Sequence, residues 1–139
     1  MTALVSLSVW IFAILINTVI TTAFLGLQGE GGSGLLEITG IILLFSSIFS
    51  FPGILLFWLV FLFNCKRTDV FSILLVTAIA VSVLSIVVFA LLVNDALGAG
   101  YLLILLFPII AALASVMLHH PAIDEVMRKQ VDLKKMIIA

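Results

Sequence analysis

Four groups of residues in this sequence have the types and spacing to do chemistry. His119 and His120 stand together before Pro121, with Asp124 and Glu125 close behind. Two imidazoles beside two carboxylates could hold a divalent metal. Pro121, however, disturbs the i, i+4 helical spacing that would aim them at one ion, and the segment has no standard ligand spacing. The expectation is therefore no metal and no cofactor, with histidines that interact with the last carbonyls of a helix. The second group is Cys65, the single cysteine, next to Lys66 and Arg67. It has no disulfide partner and reads as an inert thiol; S-palmitoylation at the membrane edge is the alternative.

The third group lies in the first apolar run, where Ser6, Trp10, Ala13, Asn17 and Thr21 fall within one narrow arc of a helical wheel. Asn17 sits near the middle of that run. In hydrocarbon a carboxamide must hydrogen-bond to another helix or to water, for a net gain of about 0.6 to 2 kcal/mol. It acts either as an interhelical clamp or as a group lining a pore or contacting a ligand, and the clamp is the simpler role. The fourth group is Ser46-Ser47-Ile48-Phe49-Ser50-Phe51-Pro52-Gly53. Pro52 removes a backbone donor and crowds the carbonyl four residues back, while Gly53 tolerates irregular backbone. A kink over 48–53 is expected, with Ser46, Ser47 and Ser50 placed to satisfy freed carbonyls. Broken helices often mark transporter sites, which makes this segment the leading functional candidate. Phe107-Pro108 echoes Phe51-Pro52, but two shared residues do not establish a repeat.

The elements that must position these groups follow from composition. The chain has 139 residues, 65% hydrophobic and 9% charged, whereas soluble domains average about 25% charged. With a mean hydropathy of +1.48, this is the signature of a membrane protein without room for a folded soluble domain. Six cations against seven acids are too few and too balanced for nucleic-acid binding. Four apolar runs, 4–25, 35–63, 70–93 and 101–118, are each long enough to span a bilayer. The connections at 28–34, 64–69 and 94–100 are short and rich in Gly, Asn and Asp, so neighbouring helices should be antiparallel. The expected fold is an all-α integral membrane protein: a four-helix transmembrane bundle of antiparallel up-down hairpins, its second helix kinked at Pro52. At 29 residues that second run would reach roughly 43 Å as a straight helix, against a hydrocarbon core of about 30 Å.

Charge sets the orientation. Lys66 and Arg67, then Arg128, Lys129, Lys134 and Lys135, fall on one side of a four-span chain, and Glu30, Glu37 and Asp95 fall on the other. The positive-inside rule puts both ends in the cytoplasm. The first run is expected to be retained rather than cleaved, because it lacks a basic n-region and exceeds an h-region in length. Glu37, three residues after a Gly34 N-cap, favours the helix dipole; with Glu30 and Asp95 it would also draw cations to the mouth of a pore.

Several faces read as packing seams. Ala78, Ser82 and Ser85 share one face of the third run with Phe71 and Phe89, and Ala111 and Ser115 lie in the fourth, which points to a tight hairpin of the third and fourth helices. Phe45, Phe49, Phe57 and Phe61 form a stripe with Gly53 as a notch, fit for a partner helix or a flat ring. The tail, 119–139, reads as a cytoplasmic amphipathic segment. Ile123, Met127 and Val131 are expected on one side, with Asp124–Arg128 and Glu125–Lys129 as i, i+4 pairs. It would rest on the bilayer surface, with Lys134 and Lys135 near anionic headgroups, or against a partner subunit through Met136-Ile137-Ile138.

No Asp, Glu, Lys, Arg or His falls in the middle of any run. Ion pumps, proton-coupled carriers and voltage sensors need charge at depth, and acid/base or metal chemistry needs the same groups. The expected function is a structural or accessory subunit of a larger membrane complex. Its partners would be the lipid bilayer and other membrane subunits or copies of itself. The alternative is a homo-oligomeric ion channel or pore lined by Asn17, Thr21, Ser46 and Ser50. A small uncoupled carrier ranks below both, and an enzyme last.

Overall fold

A computed structural model describes residues 1–27, 34–67, 69–92 and 104–138. The expectations for Glu30, Asp95 and the connections at 28–33 and 94–100 lie outside these residues. So do those for the side chains of Lys134, Lys135, Ile137 and Ile138.

Every regular element among the described residues is helical: α1 (Thr2–Leu27), α2 (Leu35–Asn64), α3 (Val70–Leu92), α4 (Phe107–Leu118), preceded by a 3-10 turn at Ile104–Leu106, and α5 (His120–Ile138). Hydroxyl and amide side chains are folded back onto the helices that carry them. Thr18 donates to the Ile14 carbonyl at 2.8 Å, Thr77 to Ile73 at 2.8 Å, and Asn64 to Val60 at 2.9 Å. Such back-bonding lets a polar side chain sit in an otherwise apolar helix. Gly34 caps α2, with Glu37 in its first turn.

The helices pack in a ring: α1 against α2 and α4, and α3 against α2 and α4. Cross-helix contacts fix the directions. Asn17 meets Ser46, and Thr22 meets Thr39, so α1 and α2 run antiparallel. Ser8 meets His119 while Phe24 meets Phe107, so α1 and α4 do too. Phe71 meets His120 at the opposite end of α3 from the Phe49–Phe89 contact. The start of α1, the α2–α3 turn with Lys66 and Arg67, and the α4–α5 junction therefore share one end of the bundle.

That end holds most of the core. Phe57, Phe61, Val70, Leu74, Val116, Ile123 and Val126 are almost fully buried in one cluster. Outward-facing positions carry large apolar side chains such as Leu15, Val19, Phe51, Val76 and Leu84. Among the described residues, three helices are long and apolar enough to cross a membrane. A fourth element reaches that length there only when Ile104–Leu118 and His120–Asp132 are counted together, and these meet at an angle of 51°. Alone, Ile104–Leu118 reaches only about 23 Å.

α2 runs as one helix from Leu35 to Asn64, with Pro52 inside it. The Ser47 and Ser50 hydroxyls donate to the Leu43 and Ser46 carbonyls, upstream of the Ile48 carbonyl that Pro52 deprives of its amide. α5 begins at His120, ahead of Pro121. That proline lies at the second residue of α5, where its missing N–H costs no helical hydrogen bond. The buried face of α5 is Ile123 and Val126, with Met127 packed beside them, while Val131 is exposed. Asp124 pairs with His120 at 3.6 Å rather than with Arg128, and the Glu125–Lys129 pair forms at 2.6 Å.

Candidate functional site: a polar-lined cavity

At the end of the bundle away from the α2–α3 turn, the helices form a half-open cavity of about 210 Å³. Asn17 and Thr21 of α1, Ser46 and Ser50 of α2, and Ser82 and Ser85 of α3 line it. Apolar walls come from Ile42, Phe45, Phe49, Ile86, Phe89 and Pro108, and Trp10, Ala13 and Ala112 lie where the cavity meets the packed core. No charged residue lines it among the described residues. The four polar residues singled out in the sequence are thus gathered on one internal space. Ser82 and Ser85, read only as a packing seam, belong to the same space. The helical wheel of α3 signals their common face, but one helix cannot reveal what that face opposes.

The α1 arc points inward as a unit: Ser6, Trp10, Ala13 and Thr21 are buried, and Asn17 is half-buried. Asn17 Nδ2 donates to Ser46 Oγ at 3.1 Å, which is the interhelical clamp between α1 and α2. Its other end is not used, since Oδ1 is buried and has no hydrogen-bond partner. Trp10, 7% exposed, likewise has a buried indole Nε1 without an acceptor. Buried donors and acceptors normally find partners; these two are closed off within the packing behind the cavity wall and have no surface toward the space itself. Ser6 Oγ and Trp58 Nε1 are also buried and unpartnered, and neither residue lines the cavity.

The notch at Gly53 is filled from within. A Cβ there would lie 2.8 Å from ring carbons of Trp10 and closer still to a methyl of Val81. Glycine is required because α1 and α3 both press against α2 at this level. The phenylalanine stripe divides around it: Phe57 and Phe61 are buried in the core, whereas Phe45 is exposed and stacks on Phe49 with centroids 6.1 Å apart.

A second polar cluster closes the packed end, and the sequence reading missed one of its members. Ser8 Oγ lies 2.8 Å from His119 Nε2, and His119 Nδ1 lies 2.8 Å from the Ser115 carbonyl. A carbonyl only accepts, so Nδ1 carries the proton; in the neutral ring, Nε2 then accepts from Ser8. The Ser115 hydroxyl in turn donates to the Val9 carbonyl. These bonds tie α1 to the end of α4. His119 also meets the edge of Phe12, while His120 meets Phe71 and Asp124, so the two imidazoles face different neighbours. Cys65 is buried, its thiol 3.2 Å from the Leu62 carbonyl, which favours the inert-thiol reading over acylation.

Outside the bundle core, Glu125 is fully exposed. The hydrogen bond from Lys129, with the charge behind it, lowers its carboxyl below the usual glutamate value of 4.5. No protein-family model, curated protein or solved structure matches this chain.

Proposed function

We propose that this chain is a four-span integral membrane protein with both ends in the cytoplasm, acting as a non-catalytic accessory subunit of a larger membrane complex. The observation that carries the reading is the direction of polarity. Asn17, Thr21, Ser46, Ser50, Ser82 and Ser85 line the chain's own cavity, and the outward positions carry mainly Leu, Val, Ile and Phe, with Ser47 and Ser72 as exposed hydroxyls among them. A surface of that kind suits lipid or the apolar faces of other membrane helices. A pore between copies would need polar groups on the outer faces, so Asn17, Thr21, Ser46 and Ser50 support the accessory reading over the homo-oligomeric channel. The clustering of Lys66, Arg67, Arg128 and Lys129 at one end supports the cytoplasmic placement of that end. The sharp turn into α5 suits a helix lying along the membrane surface behind a short fourth span.

The test is the mass and composition of the assembly extracted in mild detergent. Unrelated membrane chains at fixed stoichiometry are expected, and a closed ring of this chain alone would overturn the reading. The non-catalytic part has its own test at Ser8, because a hydroxyl beside an oriented imidazole is the start of a nucleophile–base pair. No covalent adduct with a fluorophosphonate is expected; labelling lost in His119→Ala would overturn it. A bend of α2 at Pro52 belongs to the same proposal. Residual dipolar couplings along α2 should need two axes in the wild type and one in Pro52→Ala, and a single axis in both would remove the bend.

A further inference from the structure

We propose that the cavity is a binding site for a small uncharged amphiphile: an apolar body about the size of a six-carbon chain, carrying a hydroxyl group. Three observations converge on this. The first is size. At about 210 Å³ the space exceeds the roughly 150 Å³ of an engineered apolar cavity that takes up benzene. The second is lining: the walls are mainly apolar, and none of the described residues on them is charged, so a charged ligand would be stripped of water without compensation. The third is the set of hydroxyls on the wall, Ser46 of α2 with Ser82 and Ser85 of α3. A ligand hydroxyl both donates and accepts, so it pairs with a serine hydroxyl in either sense. The left-over end of the Asn17 amide and Trp10 Nε1 are buried beneath that wall and take no part.

The occupant enters with its hydroxyl at the Asn17–Ser46 level and its carbon body between Ile42, Ile86 and Phe89. The inference uses the proposed membrane location only to explain how an apolar molecule arrives, and it does not depend on partner subunits. The mass measurement above and the titration below therefore fail separately.

The experiment uses the full chain in micelles with Trp58→Phe, which leaves Trp10 as the single indole, and follows the indole and Asn side-chain amide signals by 15N NMR. n-Hexanol should shift the Trp10 indole and one Asn amide along a saturating curve. n-Hexane, lacking the hydroxyl, and hexanoate, carrying charge, should each bind at least tenfold more weakly. Ser85→Leu, which fills the wall, should abolish saturation while the spectrum stays dispersed. Should Ser85→Leu not fold, Ser82→Val serves instead, with the hexanol preference over hexane lost. Equal binding of hexane and hexanol would overturn the polar half of the proposal. A linear shift with no saturation would overturn the site itself.

Discussion

The two ends of the bundle solve the same packing problem differently. At the end bearing the α2–α3 turn, bulky side chains from all the helices, Phe57, Phe61, Leu74, Val116 and Ile123 among them, interdigitate and leave little space. At the other end, small hydroxyl residues and one carboxamide leave a cavity. Trp10 and Gly53 mark the boundary, where a large ring fits only because the facing residue has no side chain. The contrast teaches that filled and open volume are separated along the bundle axis. Filled volume lies where α5 closes the core, and open volume lies where small hydroxyl residues face one another.

The contrast is broken or sharpened by substitution. Phe61→Ala, at a side chain with no exposure, should cost about 3–5 kcal/mol in reversible unfolding from micelles. Phe45→Ala, at the exposed end of the same stripe, should cost far less, and equal losses would show that the packed end is not the stabilising one. Gly53→Ala should cost about 1–3 kcal/mol, because the new methyl meets Trp10 and Val81 and the helices must separate. An unchanged melting midpoint would mean that the boundary is loose.

Asn17→Leu should change stability by about 0.6 kcal/mol, since the single amide bond to Ser46 is worth little in an apolar medium. A loss comparable to Phe61→Ala would make Asn17 a structural clamp first. The smallest effect belongs to Glu125. Its carboxyl is held below 4.5 in the folded chain, so the pairing with Lys129 is present above that value and is lost as pH falls through the lowered one. Amide exchange in α5 should therefore rise only in acid, and Glu125→Gln should remove the pH dependence without changing the core.

The inward arc of α1 and the shared face of α3 were legible because helical periodicity is a local property that needs no partner to be seen. The back-bonding of Ser47 and Ser50 was legible as a role but not in its target, because rotamers choose between carbonyls only once the helix exists. Of the expected face of α5, Ile123 and Met127 do pack on the core, and Val126 takes the place of Val131. Ile123 with either Val126 or Val131 makes an acceptable stripe, and the choice rests on where α1 and α4 end. Ser8 gave no signal at all, for its partner His119 is 111 residues away.

The sequence by itself determined that this is an apolar, helical, sparsely charged chain with its cations grouped at one end. Composition, periodicity and charge placement act through short-range physics, which one chain read in order displays. Only the tertiary structure decided that Asn17, Ser46, Ser50, Ser82 and Ser85 face one another across an empty volume, and that Gly53 receives the Trp10 ring. Those outcomes depend on the rotation and axial register of each helix against its neighbours. Register is fixed by the summed packing of many side chains, and no single residue encodes it.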